Sequence, residues 1–131
     1  MKYRLHYLTI AALLMAFCGH AQRDSIRRYL DDGYRLTNRA HALFGGIQIK
    51  VDEGWRLYVL YPDASLLLQM TFKDKNLRIK DGTFAVYYQN KAVSQSGNFA
   101  NNLLDGEWRT WYQNKQPKQQ GQLKLGLLVG V

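Results

Sequence analysis

Apolar and aromatic side chains alternate in two interleaved sets along residues 84–88: Phe84, Val86 and Tyr88 in one, Ala85 and Tyr87 in the other. A period of two over a stretch rich in aromatic and β-branched residues predicts a β-strand. The same alternation returns at Trp108, Thr110 and Tyr112, with Trp111 joining Tyr87 on the opposite face. A polar Asn-Lys pair follows each strand, at 90–91 and 114–115, and predicts a turn. More polar return strands are expected at about 92–99 and 117–123. Gly97 and Gly121 fall inside these return strands, where a missing side chain leaves room for a ring from the neighbouring strand. Asp81-Gly82 and Asp105-Gly106 are expected to supply the next turns, since glycine takes positive φ without steric cost.

The recurrence keeps a constant spacing. Asp81-Gly82 through Asn90-Lys91 returns as Asp105-Gly106 through Asn114-Lys115, at an offset of 24. Gln95 and Gln119, Gly97 and Gly121, and Phe99 and Leu123 keep that offset, and a further unit opens at Val129-Gly130. A degenerate copy precedes them. Gly54-Trp55 resembles the Gly-Glu-Trp opening, and Tyr61-Pro62-Asp63 aligns with Tyr88-Gln89-Asn90 at an offset of 27. The units are therefore 54–80 (degenerate), 81–104 and 105–128, each a β-hairpin. The fold class expected is all-β, an open meander of repeated hairpins with little helix. The structural repeat positions are Gly82, Phe84, Tyr88 and Gly97, then Gly106, Trp108, Tyr112 and Gly121. Residues 22–53 form a divergent N-terminal segment. A strand is expected near Ile26–Leu30, a turn at Asp31-Asp32-Gly33, a short helical stretch near 38–43 and a strand at 47–51.

The repeats resemble the MORN-repeat variant family, whose unit of similar length is built around G-x-W-x-x-Y-Y-x-N-G and a later G-x-Y. The matching residues are Gly82-Thr83-Phe84, Tyr87-Tyr88-Gln89-Asn90-Lys91 and Gly97-Asn98-Phe99, with the corresponding set one unit later. With Tyr29-Leu30-Asp31 ahead of the repeats, residues 29–131 are similar to small exported Bacteroidetes-type proteins labelled YwqK-type antitoxins. The resemblance implies a hairpin-repeat fold and an antitoxin-like binding role. The chain departs from the family where Lys91 and Lys115 replace the turn glycine. A type I′ turn needs positive φ at both central residues, which lysine resists, so longer turns or another type are expected.

The N-terminus carries a different pattern. Lys2 and Arg4 precede an apolar run at 8–17, and Gly19-His20-Ala21 offers small residues for cleavage. This is the order of a secretory signal peptide, and the run falls short of the ~18 residues that cross a bilayer. Residues 1–21 are expected to be removed on export to the periplasm or beyond. An uncleaved anchor, or lipidation at Cys18, is the alternative. Cleavage would remove two of eighteen basic residues and none of ten acidic ones, leaving a formal charge of +6. It would also remove the only cysteine, so no disulfide could hold the remaining domain.

Catalytic chemistry finds little support. His41 would be the one histidine left after cleavage. A His/Cys metal site is thereby excluded, and no catalytic residue, metal ligand or cofactor is expected. The carboxylate pairs Asp31-Asp32 and Asp52-Glu53 read as turn chemistry. The positive charge permits three partners. Nucleic acid is disfavoured by export, which leaves an acidic protein or an anionic membrane surface. The expected interaction surface comprises Lys73, Lys75, Arg78 and Lys80, with Tyr87 and Trp111 as exposed rings. The expected function is an exported, non-catalytic protein-interaction module, with peripheral attachment to anionic membrane as the alternative. Self-association through the C-terminal sheet edge is a further expectation, because an uncovered strand invites pairing.

Overall fold

The computed structural model describes residues 25–129. The expected signal segment at 1–21 and Gly130 of the further unit lie outside the described residues. One antiparallel sheet holds all the described strands. They are β1 (Ser25–Leu30), β2 (Phe44–Val51), β3 (Gly54–Leu60), β4 (Leu66–Phe72) and β5 (Lys80–Tyr87), then β6 (Val93–Ala100), β7 (Leu103–Leu104), β8 (Gly106–Trp111), β9 (Pro117–Lys124) and β10 (Leu127–Val129). Strand order follows chain order, with β7 and β8 sharing the place beside β6. The fold is thus the open hairpin meander that the alternation predicts. Among the described residues, helix is confined to one 3-10 turn at Arg39–His41, opened by the Asn38 side chain.

From β5 onward two kinds of turn alternate along the meander. In the wide kind, the Tyr88 amide donates to the Ala92 carbonyl at 2.9 Å and the Lys91 amide to the Tyr88 carbonyl at 3.0 Å. Within this loop only Lys91 takes positive φ, at 71°. This is a type I turn followed by one left-handed residue, so lysine has to take positive φ at one position and not at two. The Asn90 carboxamide accepts from the Ala92 amide and closes the loop. The same bonds join Tyr112, Lys115 and Gln116, with Asn114 as the cap, and Tyr61, Ala64 and Ser65, with Asp63 as the cap. The main-chain pattern occurs a fourth time at 31–35, where Tyr34 takes the left-handed position at φ 59°. That turn lies in the segment read from sequence as divergent.

The narrow turns correct one expectation. They fall at Asn101-Asn102 and Leu125-Gly126, whose φ angles are 48° and 71°, and 49° and 82°. Positive φ at both central residues defines the two-residue type I′ hairpin. Asp81 and Asp105 lie across the hairpin instead, where their carboxylates accept from the Asn101 and Leu125 amides at 3.1 and 3.0 Å. Gly82 and Gly106 stand in β5 and β8 with positive φ. The Asp-Gly pair misleads because it is a strong local turn signal, whereas its contact with the real turn reaches to the far end of the hairpin.

Register places Phe84 opposite Gly97 and Trp108 opposite Gly121. A Cβ on Gly97 would come 2.7 Å from Phe84 Cε1, and one on Gly121 would come 2.5 Å from Trp108 Nε1. Each ring therefore fills the space its cross-strand glycine leaves open. The degenerate unit uses Leu57 opposite Met70 at this place. A buried cluster centres on this part of the chain, where Leu30, Leu57, Val59, Leu67, Leu68 and Phe72 pack together; Phe84, Ala85 and Ala92 are the buried apolar residues of the first clear repeat. Among the described residues of β8 and β9, none is buried.

Candidate functional site

The best-defined surface is the end of the repeat ladder. The Tyr61 hydroxyl donates to the Tyr87 carbonyl at 2.7 Å, and the Tyr88 hydroxyl donates to the Trp111 carbonyl at 2.8 Å. Each wide turn is thus tied to the next by its first tyrosine. The Asn90 side chain adds a bond to the Gln113 carbonyl at 2.9 Å. Tyr112 is the next donor in the series, yet it is 51% exposed and has no such acceptor among the described residues. Only the Lys118 ammonium lies over its ring, at 5.6 Å.

Strand pairing ends at the same place. On β6, Gln95 and Ser96 pair with Thr110 and Arg109 of β8. Their equivalents on β9 are Gln119 and Gln120, and β10 reaches only Gln122, Leu123 and Lys124. The outer edge of β9 is therefore open from Pro117 to Gly121 among the described residues. Two buried polar atoms of β8 also lack a protein partner, Trp108 Nε1 and Thr110 Oγ1. The repeat arithmetic of the sequence locates this edge. The tyrosine ladder escapes it, because a hydroxyl that bonds a carbonyl of the following unit leaves no local pattern.

The expected interaction residues are distributed otherwise. Tyr87 and Trp111 are half-buried and serve the ladder through their carbonyls. The cations around Asp74 have different neighbours. The Lys73 ammonium bonds Asn101 Oδ1 at 2.6 Å and lies 3.9 Å from Asp81. Lys75 and Lys50 both lie over the Trp55 ring, at 5.6 and 5.2 Å. The Lys80 ammonium lies 5.2 Å from the Phe99 ring centroid. Arg78 is exposed, and its amide bonds the Asp74 carboxylate. The Lys50–Trp55–Lys75 cluster has no sequence signal because its members come from three separate segments.

A second concave surface crosses the core face. A groove of about 740 Å³ reaches down to Leu57, Leu68, Met70 and Phe72. Arg35, Arg78 and Lys80 stand among its polar lining. The loop that forms one wall is fastened by Gln48, fully buried, which accepts from Arg28 at 2.7 Å and donates to the Lys75 carbonyl at 2.9 Å. The burial cost of this amide is thereby met.

The perturbed carboxylates belong to turns. The Ser65 hydroxyl, then the Ser65 amide, holds Asp63 below its ordinary value. The Arg35 amide leads in lowering Asp31, helped by Gly33 and the Arg35 charge. Burial pushes Asp74 upward, but the amides of Ile79 and Arg78 outweigh it. His41 is exposed, with Nδ1 2.9 Å from Asn38 Oδ1. Among the described residues no three metal-ligating side chains come together, and no helix is long and apolar enough to cross a membrane. No protein family, curated protein or solved structure matches this chain.

Proposed function

We propose that the protein is an exported, non-catalytic interaction module that accepts a β-strand along the outer edge of β9. The observation that carries this reading is that, among the described residues, Gln119 and Gln120 have no partner on their outer side, whereas Gln95 and Ser96 are paired one repeat earlier. Strand addition satisfies such an edge through main-chain bonds, and alternate side-chain contacts supply specificity. The incoming strand belongs to a second copy or to a partner; the antitoxin-like role follows from family resemblance alone. Tyr112 is the polar group positioned to select it, since its hydroxyl lacks the acceptor that the repeat pattern calls for among the described residues.

Attachment to an anionic membrane is less well supported. It rests on net charge, and Lys73, Lys75 and Lys80 are drawn to three separate neighbours.

Sedimentation of the purified protein over a wide concentration range tests the reading, together with a variant carrying one further hairpin unit at its C-terminus. The native chain should associate with itself or with a partner captured from the cell envelope. The capped variant should be monomeric and melt at a higher temperature. A native chain that is monomeric and partnerless, in which the cap leaves the melting temperature unchanged, would sink the proposal.

A further inference from the structure

We infer that the groove over the core face binds the monomer of a long-chain carboxylate, a fatty-acid-type ligand, with its chain on the apolar floor and its head at the basic rim. The floor consists of Leu57, Leu68, Met70, Phe72 and Leu77, three of which are otherwise sealed from solvent at 2–5% exposure. A volume of about 740 Å³ falls within the range of about 300–1,000 Å³ typical of small-molecule sites. The rim holds Arg35, Arg78 and Lys80, and no carboxylate-bearing residue lines the groove. The carboxylates of the two flanking loops are engaged by main-chain amides: Asp31 by Gly33 and Arg35, Asp74 by Arg78 and Ile79. Asp31 also pairs with the Arg35 guanidinium at 3.3 Å and the Lys80 ammonium lies over the Phe99 ring, so Arg78 is the cation best placed to meet an incoming anion.

An aromatic ring stands in the lining of the groove. Tyr34 lines it with its backbone held at φ 59°, a conformation that bulky side chains rarely adopt. Its ring packs against Phe44 at 5.1 Å and remains 39% exposed. The walls come from the turn at 31–35 on one side and the loop at 74–79 on the other. The sheet needs no such walls for its own pairing, and the groove exists because they stand apart.

The test uses the purified protein with decanoate as probe and decanol as its uncharged counterpart, both below the concentrations at which they aggregate. NMR reads the Met70 methyl and the Leu77 amide. Decanoate should bind saturably at one site and shift both signals, with decanol weaker by about tenfold because it lacks the charged head. Arg78→Glu combined with Lys80→Glu should remove the preference for decanoate over decanol. Met70→Trp should fill the groove and abolish binding of both, with circular dichroism confirming a folded sheet. The inference is overturned if decanoate gives no saturable shift, if decanol binds equally well, or if shifts gather at Gln119 and Gln120 instead. Binding to anionic vesicles without binding of monomeric decanoate would also overturn it. Neither probe engages the β9 edge, so this result and the sedimentation result stand separately.

Discussion

Single residues in this sheet act through the space they leave or fill. Gly97 and Gly121 occupy equivalent positions, but their partners differ in freedom: Phe84 is 5% exposed and enclosed, whereas Trp108 is half-buried beside an open edge. Valine at either position should therefore destabilise the fold despite its strand preference, by about 1–3 kcal/mol as for other overpacked sites. Gly97→Val should cost more than Gly121→Val, because the Trp108 ring can swing outward. Gly45 is the internal control: nothing lies within 4 Å of a Cβ added there, and Gly45→Val should leave the melting temperature unchanged or raise it. Chemical denaturation of the three variants checks the order. Titration offers a second test at this scale. The Ser65 hydroxyl holds Asp63 below its ordinary value, so the stability linked to this carboxylate is present above the unfolded pKa of 3.8 and is lost as pH falls through the lower folded value. Ser65→Ala should move the Asp63 titration upward, and carboxyl NMR should show a shift confined to that residue.

At the scale of the element, the wide turn with its tyrosine is the recurring device. Tyr88→Phe removes the bond to the Trp111 carbonyl and leaves that carbonyl without its hydroxyl donor. The expected loss is about 0.5–1.5 kcal/mol. Tyr112→Phe removes a hydroxyl that has no such acceptor, and should change stability little until a strand is added at the β9 edge. Thermal unfolding of the two variants, alone and in the capped chain, should show the difference vanish as the ladder is extended. Much of this scale was legible in the sequence. Hairpins, register and the ring-over-glycine pairs follow from period-two alternation and a fixed offset, because a sheet repeats its contacts whenever the chain repeats its residues. The turn chemistry was half legible. Lys91 and Lys115 correctly excluded a type I′ turn, whereas Asp81-Gly82 misled because its carboxylate serves the turn at the far end of its hairpin. The wide turn at 31–35 carries Asp-Asp-Gly-Tyr-Arg in place of Tyr-Gln-Asn-Lys, so its kinship with the others is visible only in its hydrogen bonds. The groove was illegible for a related reason. Its floor residues read as ordinary core positions, and its rim gathers Arg35 with Arg78 and Lys80 from segments far apart in the chain.

Across the whole molecule, stability is distributed unevenly. The cluster of Leu30, Leu57, Val59, Leu67, Leu68 and Phe72 belongs to β1, β3 and β4, while β8 and β9 contribute no buried residue among those described. The regular repeats therefore depend on an anchor built by the irregular part of the chain. Each unit buries little alone and gains stability from its neighbour, as in other quasi-one-dimensional arrays. Local opening should follow this gradient, since regions with few buried apolar contacts exchange at low free energy. Amide exchange should be slowest at Leu57 and Val59, intermediate along β5 and β6, and fastest along β9. Leu57→Ala should cost about 2–5 kcal/mol and unfold the entire sheet, because removing the anchor leaves the repeats nothing to stack on. Trp108→Ala should instead melt β8 and β9 first, with the exchange rates at Val59 unaltered. If both substitutions lowered protection uniformly from β1 to β9, the sheet would be one cooperative unit and the anchored-array account would fail. The same gradient bears on binding at the open edge. A strand docking on β9 joins the least stable part of the sheet, so its arrival should raise protection in β8 and β9 far more than at Val59.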